Sequence, residues 1–160
     1  MKSQIYIYKG ANALVQLHEE NIKTFFNVWK QAKEREIRLP ETDDPDYESL
    51  ETLLFHVLRS AGGYMRWICQ KLELQDPMIN QLPSIEVIEN EAENYIDHLI
   101  ERWKRPLALV EESKFFDKVY KSNWGADYCI EAMLEHAVMH PKRHEFQLKN
   151  LLMHTIQGTP

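Results

Sequence analysis

His136, His140 and His144 recur at i, i+4 and i+8 in the run His136-Ala137-Val138-Met139-His140-Pro141-Lys142-Arg143-His144. A helix turns about 100° per residue, so residues at this spacing lie near one another on one side. Neutral imidazole is the commonest protein ligand for metal ions and suits zinc, nickel, iron and copper. The run therefore points to a metal site whose remaining ligands must come from elsewhere in the chain.

The surrounding helical pattern has an apolar stripe of Ile130, Met133, Leu134, Ala137, Leu148, Leu151 and Leu152. His144 falls near the middle of this stripe, His140 at its edge and His136 further toward the polar side. A single histidine on an apolar face is more often a hydrogen-bonded core residue than a ligand. Two adjacent inward rings are harder to satisfy by hydrogen bonds alone, because each neutral ring needs one donor and one acceptor. His140 and His144 are accordingly read as ligands, and His136 as a flanking residue of the site. Pro141 lacks an N–H and crowds the carbonyl of Ala137, so a bend there either re-aims the two rings or is a tolerated kink.

A second helical pattern contributes His56, beside its core stripe and not within it. Its neighbours at helical spacing are Ser60, Gly63 and Trp67. The pair Gly62-Gly63 costs a helix roughly 1 kcal/mol per residue relative to alanine. It marks either a close helix crossing or space kept for a ligand. If His56 faces the last helix, it completes a three-histidine site. His18 and His98 have no histidine at i+3 or i+4 and read as ordinary; His154 lies near a helix C-terminus, where a cation is mildly favoured.

Several metal and nucleotide chemistries are excluded. A zincin needs glutamate directly after the first histidine of its H-E-x-x-H motif, but Ala137 follows His136 and Pro141 follows His140. A ferritin-type di-iron bundle needs Glu-x-x-His on two helices, and none of the seven histidines has glutamate three residues before it. Phosphate-binding glycine loops, nucleophile elbows and EF-hand loops are absent. What remains is a mononuclear all-histidine site, or no metal at all.

These histidines need long elements to position them. The chain has 160 residues, 44% hydrophobic and 28% charged, which reads as a single globular domain over 1–160. Five glycines and seven prolines divide it into four amphipathic helical blocks. These run from about Ala11 to Arg35, Glu48 to Leu74, Ser84 to Pro106 and Asp127 to Thr155. Leu14, Leu17, Phe25, Val28 and Ala32 form the first core stripe. Ser84 and Asp127 are expected N-caps, Ile85 begins the third stripe, and residues 115–125 read as irregular. The expected architecture is an all-α four-helix bundle.

A net charge of −6 argues against a nucleic-acid partner. No run approaches the ~18 apolar residues of a membrane span, and Met1 to Lys9 shows no secretion-signal pattern. Cys69 and Cys129 sit in apolar helical patterns, as expected of buried thiols in a reducing compartment. The expected location is cytoplasmic.

The chain resembles the DinB family of metal-binding four-helix bundles. The resemblance rests on Leu54-Phe55-His56-Val57-Leu58 in the second block and on His140-x-x-x-His144-x-x-Gln147 in the last. It extends over nearly the full length, although only these two motifs are specific. It implies that His56, His140 and His144 bind one divalent metal ion, with an up-down-down-up arrangement of helices. It also implies a homodimer and, for some members, thiol-dependent S-transferase activity. The family often carries arginine directly after the last ligand; this chain has Glu145 there, with Arg143 preceding the ligand.

Three imidazoles leave a divalent ion with open positions, as in catalytic sites. Zinc and nickel both suit the donor set. A small thiol bound there becomes a thiolate able to attack a small electrophile positioned by Ser60, Tyr64 and Trp67. Gln147, one turn beyond His144, is placed to orient a ligand. The alternatives are a hydrolase using bound water and a non-enzymatic metal-binding or dimeric interaction module.

Overall fold

Four helices make up most of the molecule, which a computed structural model describes for residues 5–157. Residues 1–4, which begin the N-terminal segment read above, and 158–160, which close the 1–160 domain, lie outside the described residues. The helices are α1 (Lys9–Glu34), α2 (Leu50–Lys71), α3 (Ile88–Trp103) and α4 (Ile130–Gln157). α1 lies against α4 over the largest contact, and α2 packs on both α3 and α4. All four feed one apolar core. No helix among the described residues is long and apolar enough to cross a membrane.

α2 begins where its sequence dictates. Ser49 Oγ accepts the Thr52 N–H at 3.1 Å and Thr52 Oγ1 accepts the Ser49 N–H at 2.9 Å, a reciprocal cap that satisfies two otherwise orphaned donors. Just before it, Asp44 caps a short 3-10 turn, Pro45–Tyr47, with Pro45 at its first position. Buried indoles tie the helices together: Trp29 Nε1 donates to the Leu50 carbonyl at 2.6 Å and Trp103 Nε1 to the Ala61 carbonyl at 3.2 Å. α4 continues unbroken through Pro141. Beside this proline, Asn21 of α1 donates to the Val138 carbonyl at 2.9 Å.

The structure corrects several sequence expectations. The buried stripe of α1 runs through Ala11, Val15, His18, Ile22, Phe25, Trp29 and Ala32, while Leu17 is 45% exposed. Of the expected stripe, Phe25, Val28 and Ala32 are buried and Leu14 packs partly buried against the core; only Leu17 is turned outward, because Ile22 and Trp29 draw the buried face away from it. α3 starts at Ile88, not at Ser84, and has no side-chain cap; Ile85 accordingly stays on the surface. Asp127 does not cap α4. It lies in β2 (Asp127–Tyr128), which pairs antiparallel with β1 (Tyr120–Lys121). Within the segment read as irregular, only Tyr120–Lys121 is strand, and it forms one arm of a small hairpin. Its turn is closed by Gly125, at φ 87°, where a side chain would be strained.

The two glycines differ in their surroundings. A methyl on Gly62 would meet the flexible Arg66 Nη1 at 3.2 Å and would touch Ile79 Cγ2 at 3.6 Å and the Tyr95 hydroxyl at 3.7 Å, both ordinary van der Waals contacts. Nothing lies within 4 Å of the corresponding position on Gly63, which is exposed. Gly63→Ala is expected to raise unfolding free energy by about 0.5–1 kcal/mol in a denaturant titration and to leave metal affinity unchanged. A fall in metal affinity would return Gly63 to the site.

Candidate metal centre

α2 and α4 bring the three predicted ligands together. His56, His140 and His144 each offer a ring nitrogen, and these atoms all lie within 4.8 Å of one another. Nε2 of His56 is 3.0 Å from Nε2 of His140. Two nitrogens bound to one ion at about 2.0–2.1 Å, at angles between 90° and tetrahedral, lie roughly 2.9–3.4 Å apart. The observed pair falls inside that range. His144 is fully buried, His140 is 5% exposed, and the His56 side chain is 18% exposed.

The outer nitrogens of two rings are already engaged. Nδ1 of His144 is 2.9 Å from Oε1 of Gln147 and 3.3 Å from the Tyr47 hydroxyl. Donation from Nδ1 to the amide oxygen leaves the lone pair on Nε2. That atom is buried without a hydrogen-bond partner among the described residues. Nδ1 of His56 lies 2.7 Å from Oδ2 of Asp46. Nδ1 makes no regular hydrogen bond among the described residues, yet a carboxylate this close favours a proton on Nδ1 and a lone pair on Nε2. Asp46 is itself held by Arg59 Nη2, at 3.1 and 3.2 Å from its two oxygens.

This arrangement is the test of whether a metal fits. A proton shared between His56 and His140 satisfies their close pair but leaves Nε2 of His144 with nothing to accept. A divalent cation among the three Nε2 atoms uses all three lone pairs at once. The rings are also in the right protonation state. Burial pushes His140 down to about 2, with the neighbouring histidines adding to the effect. Burial likewise lowers His144 to about 4, the Gln147 bond opposing. His56 is lowered by burial against the pull of Asp46. All three are neutral at pH 7, as ligands must be.

The remaining predicted residues divide into those that reach the cluster and those that do not. Gln147 orients His144 as expected. Tyr64 stands edge-on to His140 at 5.7 Å and to His136 at 5.4 Å between ring centroids. Ser60 hydrogen-bonds Tyr64 and so acts through it. His136 is not part of the nitrogen cluster; its ring stacks on Trp124 at 5.5 Å and meets Tyr128 at 5.7 Å. Trp67 packs further along, against Tyr120 of β1. Gly63 faces open space.

Four contributors were missed in the sequence: Asp46 and Tyr47 before α2, and Trp124 and Tyr128 on the hairpin. The Asp44-Pro45 pair, a cap followed by proline at the first helical position, signalled a turn that folds Asp46 and Tyr47 toward α2. For Trp124 the signal was the glycine that follows it. Glu145, standing where the resemblance led to an arginine, is 1% exposed. Burial alone would raise its carboxyl, but hydrogen bonds from Lys149, Lys142 and Thr24 outweigh it and hold the group ionised. The residue thereby joins α4 to α1.

Partners that orient a ligand typically contribute 10–100-fold in metal affinity. Gln147→Leu and Asp46→Asn are each expected to weaken zinc binding by about that factor in competition with a chelating dye. Unchanged affinity in both would remove these groups from the site.

Comparison with protein-family models, curated proteins and solved structures finds no match to this chain.

Proposed function

We propose that this protein is a metal-dependent transferase of a low-molecular-weight thiol. In this reading it is built as a DinB-like four-helix bundle with up-down-down-up connectivity and works as a homodimer. One observation carries it: one ring nitrogen from each of three histidines converges, with Gln147 behind His144 and Asp46 behind His56, beside a pocket that reaches His140. Three protein ligands suit a site that keeps positions for an external donor, and not a closed structural one. A divalent ion, zinc or nickel, would supply a Lewis-acid centre that favours the thiolate form of a small thiol.

The chain's own groups do the rest. Asp46 and Gln147 hold protons on Nδ1 and so keep Nε2 free to ligate. Tyr47 covers His144 from the side of the 3-10 turn. Tyr64, Trp124 and Tyr128 form an aromatic wall around His136. Such a wall excludes water and orients an electrophile over the reacting sulfur. Hydrolysis, the alternative, gains less support. Asp46, the carboxylate in contact with the cluster, is committed to His56 and Arg59 and is poorly placed to take a proton from water.

The test uses tag-free protein loaded with zinc or nickel, a panel of small thiols, and 1-chloro-2,4-dinitrobenzene. The sulfur–carbon bond forms as chloride leaves, so the thioether is read by mass spectrometry. Metal-dependent acceleration over the solution rate, lost in His56→Ala, is expected. A fully loaded protein that accelerates no thiol in the panel would count against the transferase reading.

A further inference from the structure

The α4 face beside His140 opens into a pocket of about 460 Å³ lined by His136, Met139, His140, Lys142, Arg143 and Phe146. Met139 and Phe146 are 57% and 64% exposed and offer apolar surface. Two cations stand with them, and they differ. Lys142 is neutralised, its Nζ 3.0 and 3.2 Å from the oxygens of buried Glu145. Arg143 has no hydrogen-bond or ion-pair partner among the described residues.

Unpaired arginines are ordinary on a protein surface. What separates Arg143 is its place. It lies between two ligands in sequence and shares a pocket with one of them. A divalent ion among three neutral rings, with an uncompensated guanidinium alongside, makes a strongly positive pocket mouth in a chain of net charge −6. Guanidinium also presents a planar fork matched to a carboxylate.

We infer that Arg143 is an anion-binding arm of this pocket, and that the small molecule taken there carries a carboxylate beside an apolar segment that lies on Met139 and Phe146. The inference rests on the thiol reading above, and makes the favoured thiol an acidic one.

The test is a spectroscopic titration of the cobalt-loaded full chain with 3-mercaptopropionate, 2-mercaptoethanol and cysteamine, following the sulfur-to-cobalt absorption. A charge-assisted hydrogen bond of ordinary strength corresponds to about tenfold or more in affinity. 3-Mercaptopropionate is therefore expected to bind at least about tenfold more tightly than 2-mercaptoethanol, with cysteamine weakest. In Arg143→Gln, at matched cobalt content, the ratio of the first two falls to near one; Arg143→Lys keeps part of it. Equal affinities in the wild type, or an unchanged ratio in Arg143→Gln, would overturn the inference while leaving the thiol site standing. Should no thiol alter the spectrum, the thiol reading fails. Calorimetry with 4-phenylbutyrate then decides Arg143 by itself: binding lost in Arg143→Gln supports the arm, and no binding refutes it.

Discussion

His144→Ala is expected to lose stoichiometric metal binding. Chelator-treated wild-type protein should take up about one zinc or nickel ion per chain, and the variant under about a tenth of that at micromolar metal. Removing a group that merely orients a ligand costs about 10–100-fold in affinity, so removing the ligand costs more than ~100-fold. His144 is the most sensitive position because its ring is fully buried and its Nε2 has no hydrogen-bond partner among the described residues. His56→Ala and His140→Ala should behave alike, whereas His136→Ala should bind normally, since His136 stands in the aromatic wall and not in the nitrogen cluster. A second readout is thermal. Metal at about 1,000 times its dissociation constant stabilises a folded protein by about 4 kcal/mol, and that rise in Tm should vanish in the three ligand variants. Full metal content in His144→Ala, confirmed folded by circular dichroism, would remove the centre described above.

The second large effect is acid lability centred on His18. This ring is 1% exposed, has no hydrogen-bond partner on either nitrogen among the described residues, and stacks on Trp103 at 3.6 Å with 2° between the planes. Burial pushes it down to about 3 from an ordinary 6.5. Between those values the unfolded chain binds a proton that the folded chain refuses. Stability is therefore complete above about pH 6.5 and falls as pH drops toward 3, by up to about 1.4 kcal/mol per pH unit for this group. His140 and His144, lowered in the same direction, steepen the loss in metal-free protein. His18→Phe keeps a flat ring on Trp103 and removes the proton site. Its stability relative to wild type should be higher at pH 4 than at pH 7.5 by about 2–3 kcal/mol, measured by urea unfolding in chelator. An equal difference at the two pH values would show that His18 does not titrate as its burial requires.

How much of this was legible beforehand depends on the range of the interaction. The i, i+4 step from His140 to His144 is a local property of a helix, and Gln147 at i+3 from His144 follows from the same geometry. The structure places His140 and His144 in one cluster and Gln147 Oε1 2.9 Å from His144 Nδ1. His56 lies 84 residues before His140, and nothing local joins them; its inclusion needed either the family resemblance or α2 turned with that face toward α4. His18 shows the opposite failure. It reads as ordinary for want of a histidine at i+3 or i+4, yet the α1 face carrying Ile22, Phe25 and Trp29 buries it and leaves Leu17 outside. The start of α3 failed because a serine with a favourable following residue marks a possible cap, while tertiary packing sets the first turn at Ile88.

The sequence alone determined the four amphipathic stretches, the donor chemistry and the spacing on α4, because periodicity and ligand type are written within a few residues. Only the tertiary structure decided that Asp46 stands behind His56, that His136 belongs to an aromatic wall with Trp124, and that Arg143 has no ion-pair partner among the described residues. Each of these is a meeting of distant segments or the absence of one. It depends on how helix faces and a hairpin come to rest against each other, which no local pattern specifies.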